Sequence, residues 1–127
     1  MDHDLHLRRQ KRRRALAHGA LAEWRALFAL MLKGWRPVAR RWRVRGGEID
    51  LVVRRGRVVL FVEVKARAAI DDARVAVTPE KRRRLGRAIR AWRARNRWAD
   101  EGWSFRVDAV YIGRGAWPEH VEGVMEV

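Results

Sequence analysis

Apolar residues in this chain change their period several times, and each change marks an element. Between Ala20 and Lys33, Leu21, Trp24, Leu27, Phe28 and Met31 recur at i, i+3, i+6, i+7 and i+10. That spacing predicts an amphipathic helix with this stripe against the core, ended by Gly34. Glu23 falls at the edge of the stripe, where a carboxylate can reach toward a neighbouring sheet. The period then shortens to two. Pro37 to Val44 reads as a strand with Val38, Trp42 and Val44 on one face; Gly46-Gly47 turns the chain into "EIDLVV"; "RRGR" forms a hairpin turn around Gly56; and "VVLFVEVK" follows as a third strand. Residues 66 to 77 have no period and read as a loop. Thr78 as N-cap, Pro79 in the first helical position and Glu80 at the positive dipole end open a second helix. Leu85, Ala88, Ile89 and Trp92 form its apolar face, "SFRVDAVYIG" supplies a fourth strand, and the tail after Trp117-Pro118 adds a short last one. The order αβββαββ is that of an α/β domain.

Parity along the hairpin sorts its side chains. Glu48, Asp50 and Val52 share one face, as do Val59, Phe61, Glu63 and Lys65. Closing the hairpin with Val53 opposite Val58 sets Asp50 opposite Phe61 and diagonal to Glu63, so Asp50, Glu63 and Lys65 share a face. The other face, Ile49, Leu51, Val53, Val58, Leu60, Val62 and Val64, is wholly apolar and reads as core. Diagonal neighbours lie roughly 7–8 Å apart and their side chains can converge. Two such carboxylates suit one hard divalent cation, and a polar hairpin face is the plainer alternative.

Composition narrows the partners. The chain has 127 residues, one domain's worth, with thirty basic residues against fifteen acidic ones, a formal net charge of +15. So basic a chain attracts polyanions, nucleic acid before membrane. The absence of cysteine excludes disulfides and thiolate metal sites, and the four scattered histidines show no zinc spacing. Residues 1–17 read as a basic N-terminal arm and 18–127 as one domain. His18, Glu23 and Arg25 interrupt the only apolar run after the arm, so neither a signal peptide nor a membrane span is expected, and the cytoplasm is the expected compartment.

One scarcity singles out Lys65. Twenty-six of the thirty basic residues are arginine, yet a lysine stands two positions after Glu63. Lysine is a compact point charge that can orient a water or neutralise a phosphate. The stretch "GEIDLVV...LFVEVKAR", with "HGALAEWRALFALMLKGWRPVARRWRV" before it and "TPEKRRRLGRAIRAW" and "FRVDAVYIG" after it, resembles the YraN-like family of small bacterial proteins. That family is assigned to the restriction-endonuclease-like, PD-(D/E)xK, superfamily and is similar to archaeal Holliday junction resolvases. The resemblance implies a restriction-endonuclease-like mixed sheet flanked by helices. It implies that Asp50 is the first acid, Glu63 the second, Lys65 the lysine, and Glu23 the helix-borne glutamate of resolvase-like members. Ile49 stands where the motif has a proline.

On that resemblance the chain is expected to be a magnesium- or manganese-dependent endonuclease acting on DNA or structured nucleic acid. Asp50, Glu63 and Glu23 would be the metal ligands, and Lys65 would complete the catalytic set. Burial beside Phe61 and the carboxylate pair predict raised acid pKa values. Arg43, Arg45, Arg67, Lys81 and Arg84 are the expected nucleic-acid contacts, within a surface that includes nine basic residues and no acid from Lys81 to Arg97. Glu48 reads as a partner for nearby arginines and Asp108 as an ion pair with Arg106. Trp42, Trp92 and Trp98 read as core in preference to base-stacking platforms. A binding protein that keeps the fold without cleaving is the competing reading, and symmetrical junction cutting would require a homodimer.

Overall fold

The computed structural model describes residues 2–66, 78–113, 115 and 117–127, with the backbone alone for 2–4 and 10–18. Helix α1 spans Asp2–Leu32, followed by strands β1 (Arg36–Val44), β2 (Gly47–Arg55) and β3 (Val58–Ala66). Helix α2 (Pro79–Arg95), a 3-10 turn (Arg97–Ala99), and strands β4 (Ser104–Ile112) and β5 (Glu119–Met125) complete the order αβββαββ. The expected loop after Ala66, Arg67 included, lies outside the described residues. Helix α1 starts at Asp2, well before the apolar period at Ala20, because the intervening leucines, arginines and alanines all favour helix. The expected basic arm is therefore, from Asp2 onward, backbone of α1. Thr78 caps α2 as expected, its Oγ1 accepting from the Lys81 N–H at 3.3 Å.

The described strands form one sheet in the order β1-β2-β3-β4-β5. All neighbours are antiparallel except β3 and β4, whose parallel pairing needs a crossover that contains α2. One face packs on α1, with Leu51, Val53, Leu60, Val62 and Val110 against Ala22, Ala26, Leu27 and Leu30. The other packs on α2, with Val52, Val59, Phe61 and Val107 against Leu85, Ala88, Ile89 and Trp92. Phe61 meets the Trp92 ring edge-on at 5.3 Å and stacks on Phe105 at 6.1 Å. Trp92 is core as expected and Trp42 packs against the same cluster, but Trp98, expected in the core, is instead 48% exposed, because it lies on the 3-10 turn past the end of α2. Among the described residues no helix is long and apolar enough to cross a membrane.

Two expectations are corrected. The predicted stripe of α1 is not its buried face: Leu21, Trp24, Phe28 and Met31 are exposed, and only Leu27 joins the core. The arc that packs on the sheet is Ala22, Ala26, Leu27 and Leu30, whose two alanines admit a close helix–sheet approach. The hairpin also closes two residues later than predicted, with Arg55 opposite Val58 and Phe61 opposite Val52 instead of Asp50. Gly56, at φ 59°, makes this two-residue turn possible. A slip of two preserves parity, so Asp50, Glu63 and Lys65 keep a common face.

Candidate active site

The β2–β3 ladder runs from Arg55↔Val58 to Leu51↔Val62 and stops there. Its continuation would set Asp50 across from Glu63, and at that point the strands part. The Val64 N–H, which the next rung would have used, donates instead to Asp50 Oδ2 at 2.8 Å. This bond meets the demand of a backbone donor and fixes the carboxylate at once. Strand β3 stays paired with β4 beyond the opening, Glu63 with Ala109 and Lys65 with Tyr111, so these two side chains stand on a rigid strand.

A left-handed residue stands where Asp50 and Ile49 both come to the α2 side. Arg41, at φ 52°, is the only non-glycine residue with positive φ among those described, and it sits across from Asp50 between the Arg40↔Leu51 and Trp42↔Ile49 pairs. On one side of it, Leu51 packs toward α1; on the other, Trp42 and Ile49 pack toward α2. Ile49 therefore leaves the apolar face that strict alternation assigns to it. Backbone conformations of this kind cost about 1–3 kcal/mol and gather at functional sites.

Asp50, Glu63 and Lys65 line one cavity of about 200 Å³ with Glu48, Lys81, Arg84 and Leu85. Helix α2 closes its far wall because Gly47 lets it: a Cβ there would lie 2.6 Å from the Arg84 carbonyl oxygen and 2.9 Å from the Ala88 nitrogen. The glycine reads as a turn residue in sequence; its closer role is backbone contact. Burial pushes the Asp50 carboxyl up to about 8, with the Glu63 charge adding to the effect, as expected for carboxyl groups within hydrogen-bonding reach of each other. For Lys65 burial works to lower the pKa. The Glu63 carboxylate, 2.8 Å from Nζ, and the nearby Asp50 outweigh it, so the ammonium titrates above the ordinary lysine range.

Glu23 is buried on α1 but stands apart from the pair. Its Oε2 accepts a 2.6 Å bond from Arg41 Nε, and this bond is the main cause of a raised Arg41 pKa. Glu23 is close enough to add to the rise at Asp50. Among the described residues, however, no three acids or histidines converge as one set of metal ligands. Asp50 and Glu63, within hydrogen-bonding reach of each other, offer hard oxygen donors of the kind that fit magnesium or manganese, which keeps waters in its shell.

Of the expected nucleic-acid contacts, Lys81 and Arg84 line the cavity, and Arg43 and Arg45 are exposed nearby on β1 and its turn. Arg43 also pairs with Glu48 at 3.4 Å, the partnership expected of that glutamate. Asp108 forms the expected pair with Arg106 through bonds of 2.8 and 2.9 Å. Fully buried, it also accepts from the Gly123 N–H and meets His120 Nε2 at 2.5 Å. Burial alone would raise its pKa, and these bonds reverse that and lower it. Nothing in the spacing of Asp108 and His120 announces their contact; it arises because β5 folds back beside β4.

A UPF0102 protein of Methylobacterium radiotolerans is 59% identical over 117 residues, 92% of this chain and 90% of its own length. Similar proteins of Methylorubrum populi and Methylorubrum extorquens are 51% and 50% identical, covering 93% and 92% of this chain and 94% and 91% of theirs. The model of "Uncharacterised protein family UPF0102" matches residues 22–112, a span that takes in Glu23, Asp50, Glu63 and Lys65, and the chain belongs to that family.

Proposed function

We propose that the protein is a metal-dependent endonuclease that hydrolyses phosphodiester bonds in DNA or structured nucleic acid in the bacterial cytoplasm. The observation that carries this reading is the opened hairpin, where Asp50 and Glu63 share a cavity with Lys65 below a basic helix. Burial and the neighbouring Glu63 charge raise the Asp50 pKa, and a bound cation would relieve that cost. Asp50 and Glu63 would hold magnesium or manganese, which when bound supplies an acidified water and neutralises phosphate charge. Lys65, anchored on Glu63, would orient the attacking water and offset the charge that develops as the water oxygen bonds to phosphorus and the ester P–O bond breaks. Lys81 and Arg84 would hold the adjoining phosphates. Arg82, Arg83, Arg87, Arg90 and Arg93 border a groove on α2 and the C-terminal tail, extending this basic surface.

A second reading has its own observation. Arg41 occupies Glu23, so the acid that would complete a three-ligand set is engaged elsewhere, as suits a binding protein that does not cut. Branched, duplex and single-stranded substrates incubated with magnesium or manganese separate the two. The endonuclease reading expects cleavage that falls at least about 100-fold in Glu63→Ala and Lys65→Ala. Cleavage that survives both substitutions, or none on any substrate alongside retained binding, sinks it. Calorimetric titration of magnesium into wild type and Asp50→Ala reads the cation site without reference to activity.

A further inference from the structure

Leu21, Trp24, Phe28, Met31 and Leu32 of α1 are 57, 53, 59, 49 and 62% exposed, and Trp117 beside them is 63% exposed. At 100° per residue the five helical positions fall within an arc of about 100°, so they form one stripe and not a scatter. Trp24, Arg25 and Phe28 meet Trp117 and Pro118 around a hollow of about 250 Å³. Together the six side chains present on the order of 700 Å² of surface, more than the ~300–600 Å² of the largest patch on a typical monomer and close to the ~800 Å² per partner of a standard interface. The other side of the same helix turn is packed core, with Ala26 and Leu30 essentially inaccessible, so the stripe is held in place before anything binds.

We infer that this stripe is the interface of a homodimer, α1 packing antiparallel on α1 of a second copy. A single helix face can be self-complementary about a two-fold axis, which is what an isologous contact demands. Charge selects the antiparallel arrangement. The chain carries a net +15, and residues 8–14 of α1 are basic except Gln10. With the axis near residue 26, a rise of 1.5 Å per residue sets the two basic stretches about 35–55 Å apart, several screening lengths at physiological salt. A parallel pair would lay them side by side. The Asp50 cavity, walled by α2 on the other side of the sheet, stays uncovered in such a dimer.

Sedimentation velocity and light scattering on the full chain, after nuclease treatment and in high salt, test this with bridging nucleic acid removed. Wild type is expected at twice the 14.9 kDa of one chain. Trp24→Glu combined with Phe28→Glu should weaken association by about 100-fold or more while leaving the circular dichroism of the fold unchanged. Because the chain has no cysteine, Phe28→Cys should cross-link to a second copy with a short bismaleimide, and Arg90→Cys should not. This second readout holds even if the double variant folds poorly. A monomer at all concentrations overturns the proposal and leaves the stripe to another protein or a lipid surface; so does a dimer that both survives the double substitution and fails to cross-link through position 28.

Discussion

Helices α1 and α2 lie on opposite faces of one sheet, and a helical apolar spacing announces both, yet only α2 buries all the residues that announced it. Eight basic residues from Lys81 to Arg95 leave α2 a single apolar arc, and Leu85, Ala88, Ile89 and Trp92 are all core. Helix α1 between Ala20 and Leu32 has apolar residues on nearly every side, and the sheet takes the alanine arc while the larger side chains face outward. Period identifies a helix, but it names the buried face only when charge closes off the alternatives. What was read as core on α1 becomes the surface argued above to pair two copies.

The sharpest way to break this comparison is to truncate one tryptophan on each helix. Trp92→Ala removes a ring that is 1% exposed and should cost about 3–5 kcal/mol in urea unfolding. Trp24→Ala, 53% exposed, should cost within about 0.5 kcal/mol when the chain is dilute, and more as concentration rises if α1 pairs. Equal losses at low concentration would mean that α1 buries the stripe after all. Gly47→Ala probes the seat of α2 alone: the added Cβ meets α2 backbone, so a loss of about 1–3 kcal/mol is expected, with the cavity-lining Lys81 and Arg84 shifted.

Asp50 adds a pH dependence between the helices. Its folded pKa of about 8 stands above the ~3.9 of an unfolded aspartate, so across that interval the folded state holds the proton that the unfolded state has released. The stability this contributes is fully present below about pH 4 and is lost as pH rises through 8. Asp50→Asn should abolish that decline and leave the protein more stable than wild type at pH 8, by roughly 2 kcal/mol once partial exposure is discounted. Thermal denaturation from pH 5 to 8.5 without divalent ions measures it; parallel slopes for the two proteins would refute the assignment. The smallest effect is expected for Arg84→Ala, which should lower the salt dependence of nucleic-acid binding by about one phosphate contact and leave stability unchanged. Filter binding across a salt series reads that slope.

The site was legible because it depends on parity. Asp50, Glu63 and Lys65 share a face in any register displaced by an even number of residues, so the hairpin could close two residues away from prediction and still assemble them. Thr78, Pro79 and Glu80 were equally plain, since a helix cap is a contact between near neighbours in the chain. Arg41 was not legible. Its left-handed backbone, its bond to Glu23 and the placing of Ile49 on the α2 side depend on how three elements meet. The partners of Asp108 were half legible: Arg106 is two residues away on the same strand, whereas His120 reaches it from β5.

The order of elements and the common face of Asp50, Glu63 and Lys65 follow from the sequence by itself, because each rests on spacing within a strand or helix turn. The tertiary structure decided which side of α1 is core, where the β2–β3 ladder opens, and that Glu23 is held by Arg41 at a distance from Asp50 and Glu63. Those outcomes compare the packing of surfaces far apart in the chain, and no local period carries that comparison.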